Sequence, residues 1–271
     1  VYKCIQMNDR NSWKLSDLPL QIDIESKNVL KSLPKAHAAL AELKGIALSI
    51  PNQNILINTL SLQEAKDSSA IENIITTHDE LYKSELNLKS LKRLETKEVR
   101  NYIEALKRGF ALVSERKLLT CNMILEIQQM IEKNNAGFRK LPGTALKNAT
   151  TGETVYTPPQ AYDRIDSLMG NLERFINDSS LTDYDPIVKM AIIHFQFESI
   201  HPFYDSNGRT GRIINILYLI LEGLLDLPIL YLSSYIIKNK GDYYRLLQQV
   251  RDTNEWEEWL MYIIKGVEET S

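Results

Sequence analysis

The chain has 271 residues and a mass of 31.2 kDa, long enough to bury a core without disulfide or metal staples. Its 32 Lys and Arg against 35 Asp and Glu leave a net charge of −3, which argues against broad electrostatic binding to nucleic acid or anionic membrane, so any polyanion it handles is small. The 11 Gly and 9 Pro exclude a disordered or low-complexity chain, and Cys4 and Cys121, far apart and outside any Cys/His cluster, suggest neither a disulfide framework nor a zinc site.

A reducing, cytoplasmic setting is expected. The opening VYKCIQMNDR lacks the charged start and apolar stretch of a signal peptide, and the longest apolar run, Ile213 to Leu225, is interrupted by Asn215 and Glu222.

Most of the chain reads as helix. Apolar residues from Val29 to Ala47 recur at a spacing near 3.6, predicting a helix over 28–48 with Pro34 as a late start or kink. Pro51 interrupts, and further helices are predicted over 53–71, 94–115 and 122–133, the last capped by Thr120. From Gly137 to Pro159 the helical period is lost. Thr and Val enrichment and Gly-containing turns predict one β-hairpin there, with its tip near 150–153 and Thr154-Val155-Tyr156 as the return strand. Helices then resume over 162–177, 185–198, 209–222, 231–238, 241–251 and 255–267. The expectation is an all-α fold with one inserted hairpin.

One segment differs from everything around it. Between the apolar stretches Ile187 to Phe197 and Ile213 to Leu225 lies HPFYDSNGRTGR, His201 to Arg212. Backbone N–H groups in the first turn of a helix have no internal partner and the dipole there favours negative charge, so 206–209 can cradle a phosphate, with Gly208 permitting close approach. Arg209 and Arg212 are three apart, on one helix face, and predict two guanidinium forks on successive phosphates. Asp205 offers a hard oxygen to Mg2+, and His201, with an unperturbed pKa of about 6.5, can accept a proton from a hydroxyl. These parts describe nucleotidyl or phosphoryl transfer that relies on positioning and charge neutralisation.

The segment resembles the signature of the Fic family, enzymes that transfer AMP from ATP to a Ser, Thr or Tyr hydroxyl of a protein. The match departs from the family only at Ser206, where Gly or another small residue is usual. The resemblance implies a Fic-like helical bundle, ATP as co-substrate and a Mg2+ cofactor. It implies His201 as catalytic base, Asp205 on the metal, and Ser206, Asn207, Gly208, Arg209 and Thr210 around the α- and β-phosphates, with Arg212 on the γ-phosphate. GETVYTPP, Glu153 to Pro159, resembles the family's flap, whose strand edge at Thr154, Val155 and Tyr156 would align a target main chain by β-augmentation. Tyr243 and Tyr244 resemble a pair that packs near adenine, and Arg251 stands seven residues after Tyr244, where relatives can use Asn against the nucleotide.

A second segment carries the brake. Ser68 and Glu72 are i and i+4 on one helix face, and Asn73 is a good helix-ending residue. The pattern resembles the family's inhibitory helix, of the class that carries it N-terminal to the catalytic motif, which implies that Glu72 pairs with Arg212. The expected organisation is an N-terminal helical region, 1–92, carrying the inhibitory helix at about 53–73, and a catalytic core, 93–271, with the flap at about 139–157. Alternatives are removal of AMP, transfer of another phosphate-containing group, or a non-catalytic ATP-sensing interaction module. The resemblance also implies a protein target, the chain itself included, and a homodimer; no membrane or nucleic-acid partner is expected. Many relatives carry a C-terminal winged helix, which the chain, stopping at Ser271, is expected to lack or to have lost. His194, at helical spacing, reads as a core histidine, His37 and His78 as surface residues, Trp256 and Trp259 as packing, and Lys89, Lys92 and Arg93 as a solvated basic face.

Overall fold

The computed structural model describes residues 15–76, 94–147 and 151–271; Cys4, His78, Lys89, Lys92, Arg93 and Thr150 lie outside the described residues. Among the described residues there are ten helices and one antiparallel hairpin. The helices are α1 (Lys27–Ser49), α2 (Gln53–Ile71), α3 (Leu94–Arg116), α4 (Cys121–Glu132), α5 (Tyr162–Asn177), α6 (Pro186–Ile200), α7 (Asn207–Leu221), α8 (Leu232–Lys238), α9 (Lys240–Thr253) and α10 (Glu257–Thr270). The hairpin pairs β1 (Leu146–Lys147) with β2 (Thr154–Tyr156), Leu146 opposite Tyr156.

The local chemistry explains the boundaries. Ser26, Thr120 and Asp185 cap α1, α4 and α6 by accepting the N–H groups of Val29, Met123 and Ile187. Pro186 at the first position of α6 has no N–H to leave unpaired. Pro34 does not end or delay α1, which runs through it; the carbonyl it frees belongs to Leu30, half-exposed, where water can reach.

Helix α6 is buried on every side from Ile187 to Ile200, which makes it the central helix, with α7 packed along it. Helix α3 packs on α2, α4 and α7. The approach of α3 to α7 depends on Gly109, where a Cβ would meet Leu217 Cδ1 at 2.7 Å. Helix α1 lies against α10, and α2 against α8 and α3. One hydrophobic cluster runs from Leu15 to Val267 and draws on both the N-terminal and the later helices. Among the described residues no helix is long and apolar enough to cross a membrane.

Candidate active site

The six residues joining α6 to α7 carry the unusual side chains, and two left-handed residues shape them. His201 ends α6 at φ 49°, its N–H bonded to Phe197 C=O at 2.9 Å, and Ser206 precedes α7 at φ 64°. Asn207 braces the turn from inside: its Oδ1 accepts the Phe203 N–H and its Nδ2 donates to the Phe203 C=O, each at 2.9 Å. Its side chain is therefore spent on the loop, which leaves its main chain for a ligand.

Arg139 holds the same loop from the hairpin side. It is fully buried, donates from Nε to His201 C=O at 2.7 Å and from Nη2 to the carbonyls of Ile200 and Pro159, and its N–H bonds Pro202 C=O at 2.8 Å. The sequence reading did not single out Arg139. Its partners are main-chain carbonyls far along the chain, so no spacing or motif marks it.

At the N-terminus of α7 the space over Gly208 is filled by a carboxylate. A Cβ on Gly208 would lie 2.3 Å from Glu72 Oε1, and that oxygen accepts from Arg212 Nη2 at 2.9 Å. Glu72 thus occupies the position where a helix dipole and unpaired N–H groups favour an anion. Ser68 completes the contact, its Oγ accepting from Arg212 Nε at 2.7 Å and its C=O from Nη2 at 2.9 Å. Thr210 is fully buried beside these residues and its Oγ1 has no partner among the described residues.

The two motif arginines diverge: Arg212 meets Glu72 and Ser68, and Arg209 turns to other carboxylates. Arg209 is 3% exposed and bonds Glu98 on α3 at 3.0 Å and Glu132 on α4 at 2.9 Å. Ser206 Oγ also donates to Glu132. Three residues turn a helix about 300°, so side chains at that spacing share a broad face yet can reach different neighbours. The sequence carries no local sign that α3 and α4 bring acids there.

Burial, followed by the charges of Arg139 and Arg251, pushes the His201 imidazole down to about 4, against a partial opposing effect of Glu72. The ring is neutral at neutral pH. Its Nδ1 is buried without a partner among the described residues, and Nε2 can take a proton only in the tautomer that keeps the ring hydrogen on Nδ1. Glu198, one turn earlier on α6, is pushed up to about 7 by burial, with Arg212 acting in the opposite direction. Arg212, despite its burial, is held above its ordinary value by Glu72.

His194 is a core group, fully buried between Tyr243 OH at 2.8 Å and Asn215 Nδ2 at 3.0 Å, and burial lowers it to about 3. The Tyr pair splits. Tyr243 is walled in against His194 and Trp259, while Tyr244 is half-exposed and meets the Tyr243 ring edge-on at 5.1 Å. Trp259 packs in the core, its N–H bonded to Ala191 C=O, and His37 pairs with Asp185 at 2.7 Å.

Thr154 and Val155 are exposed on β2, and Tyr156 turns inward to donate its hydroxyl to Ser199 C=O at 2.7 Å. Asp205 is exposed, with one oxygen accepting the Ser206 N–H. No group of three metal-ligating side chains gathers among the described residues. A lone exposed carboxylate fits Mg2+, which takes most of its ligands from phosphate and water, and does not fit a metal needing an all-protein cage.

Residues 30–111 match the model of the Fic/DOC family N-terminal region and residues 118–219 that of the Fic/DOC family. A probable protein adenylyltransferase of Aquifex aeolicus is 27% identical over 186 residues, 66% of this chain and 54% of that protein. The protein adenylyltransferase fic-1 of Caenorhabditis briggsae is 32% identical over 90 residues, 31% of this chain and 18% of that protein. The chain spans about half or less of the length of these curated relatives. Among solved structures, a Fic family protein from Desulfovibrio desulfuricans G20 superposes with a TM-score of 0.76 at 20% identity, covering 94% of this chain and 75% of that one. Fic-1 of Caenorhabditis elegans gives 0.67 at 20% identity, over 89% and 70%.

Proposed function

The chain belongs to the Fic/DOC family, and from that premise we propose that it is a Mg2+-dependent protein adenylyltransferase restrained by Glu72. The observation that carries this reading is the Glu72 carboxylate seated over Gly208 and on Arg212, an internal anion held where a phosphate would bind.

In the reaction, the edge of β2 pairs with a target main chain and brings its hydroxyl to His201. The neutral imidazole takes the hydroxyl proton at Nε2 as the hydroxyl oxygen bonds to the α-phosphorus of ATP. The bond from that phosphorus to the bridging oxygen of the β-phosphate breaks, and pyrophosphate leaves. The first-turn N–H groups of α7, with Gly208 allowing approach, receive the α- and β-phosphate oxygens. Arg212 exchanges Glu72 for the γ-phosphate. Arg209 contributes its main chain and fixes α7 through Glu98 and Glu132. Mg2+, held by Asp205, would neutralise charge on the phosphates and the departing pyrophosphate. Tyr244 offers an exposed ring for the adenine.

The test is incubation with α-labelled ATP and a cell lysate, comparing the chain with its Glu72→Gly and His201→Ala forms. Label should appear on protein with Glu72→Gly and fall about a hundredfold or more when His201→Ala is added, with ATP binding retained. Undiminished labelling would remove His201 from the mechanism. Mass spectrometry of the added group, with UTP, GTP and CDP-choline run in parallel, separates AMP from other phosphate-containing groups.

A further inference from the structure

Arg251, in the last turn of α9, points its guanidinium inward and is 5% exposed. The guanidinium carbon lies 4.0 Å from the centroid of the Tyr156 ring and 5.7 Å from that of Phe195. Its Nε donates to Ser199 Oγ at 3.2 Å, and the Tyr156 hydroxyl donates to the Ser199 carbonyl at 2.7 Å. Guanidinium, phenol ring and Ser199 therefore close on one another and join three elements: the return strand of the hairpin, the last turn of α6, and α9. Ser199 stands two residues before His201.

The hairpin needs such a tether. Among the described residues its strands are two and three residues long with an irregular register, and an isolated two-stranded hairpin is marginal in water. We propose that Arg251 is the positioning residue that fixes the β2 edge relative to His201, so that a strand docked on that edge is presented in register to the imidazole. A planar guanidinium suits the task, because its face stacks on the ring while an edge N–H reaches Ser199; an ammonium cannot do both. The same charge acts on the base. The groups acting on the imidazole are Arg139 from the segment before β1, Arg251 from α9 and Glu72 at the end of α2, with Glu198 one turn back on its own helix, and both arginines favour the neutral ring.

The catalytic meaning of this tether rests on the adenylyl-transfer reading; the tether itself does not. The test is NMR on the ligand-free protein and on its Arg251→Ala, Arg251→Lys and Tyr156→Leu forms. Backbone order parameters at Thr154 to Tyr156 should be near the rigid value of about 0.85 in the parent and fall below about 0.6 in Arg251→Ala and Tyr156→Leu. Arg251→Lys keeps the charge and loses the stack, so it should leave the His201 titration near that of the parent while still loosening β2. Arg251→Ala should move the titration toward higher pH. Tyr156→Leu leaves every buried charge in place and decides the matter if Arg251→Ala fails to fold. A β2 already mobile in the parent, or equally rigid in Tyr156→Leu, would overturn the proposal. AMP transfer absent from every form when each is also given Glu72→Gly, alongside the expected NMR result, would count against adenylyl transfer and leave the tether standing.

Discussion

Glu72 Oε1 accepts from Arg212 Nη2 at 2.9 Å, and the same oxygen lies 2.3 Å from where a Cβ at position 208 would stand. One carboxylate thus meets both the guanidinium and the N-terminus of α7. On the proposed reading it would compete there with a triphosphate, restraint and substrate binding being two occupancies of one anion site.

Removing that carboxylate should tighten ATP binding. A charge-assisted hydrogen bond contributes about 1.5 to 3 kcal/mol, so Glu72→Gly should lower the Kd for ATP about tenfold to a hundredfold, measured by calorimetry with Mg2+ present. Glu72→Gln keeps the shape and loses the charge, and should fall between the two. An ATP affinity equal in all three forms would show that Glu72 does not restrain the site.

Gly208→Ala separates crowding from charge. Gly208 has no left-handed backbone requirement, so the substitution acts through its methyl group, which would meet Glu72 Oε1 at 2.3 Å and Arg212 Nη1 at 3.0 Å. Overpacking of this kind costs about 1–3 kcal/mol, and urea unfolding should report a loss in that range. In the Glu72→Gly background the clash with the carboxylate disappears, so most of the stability should return. ATP affinity should not return with it, because the methyl still stands where the phosphate oxygens approach. Full recovery of both would mean that the Gly208 backbone is not a phosphate contact.

What the sequence made legible follows from where the partners lie. Helices α2 and α5 span the residues expected of them, 53–71 and 162–177. The loop from His201 to Asn207 was legible as a polar break between apolar helices, and its anion-binding chemistry follows from a helix N-terminus. The start of α7 at Asn207 was predicted two residues late, since Asn207 reads as a turn residue and only the left-handed Ser206 before it frees it to begin the helix. Arg139, Glu98 and Glu132 were invisible because each acts on a partner more than 60 residues away. The stack of Arg251 on Tyr156 was hidden for the same reason: it crosses from α9 to the hairpin.

Arg209 should behave as a structural ion pair and not as a phosphate ligand. Its guanidinium is 3% exposed and bridges Glu98 and Glu132, so Arg209→Ala leaves two partly buried carboxylates facing each other without a cation. Breaking a buried pair from one side costs about 3–5 kcal/mol, and partial exposure of both acids lowers the expectation to about 2–3 kcal/mol by urea unfolding. Replacing all three residues by Leu or Met should recover much of that loss. A stable Arg209→Ala with ATP binding abolished would instead place the guanidinium on the nucleotide.

The acid limb of transfer should lie far below the ordinary histidine range. His201 is neutral down to about 4 in place of 6.5, so the base is available throughout pH 5 to 8. Glu72 raises that value, and the released Glu72→Gly form should hold the imidazole neutral to still lower pH. Glu198 titrates near 7 and touches the same region, so an inflection of kcat near neutrality is expected from it and should vanish in Glu198→Gln. Stability carries opposite signs for the two groups. The unfolded imidazole takes a proton near 6.5 and the folded one only near 4, so His201 destabilises the fold as pH drops through that window. Glu198 is raised from 4.5 to about 7, so its contribution is lost as pH rises from 4.5 to 7. Measured together, kcat of the Glu72→Gly form at saturating ATP should change less than about twofold between pH 8 and 5.5 once Glu198→Gln is added. A limb at pH 6 to 7 that survives Glu198→Gln would mean that His201 titrates as an ordinary histidine and that burial, with Arg139 and Arg251, does not hold its ring neutral.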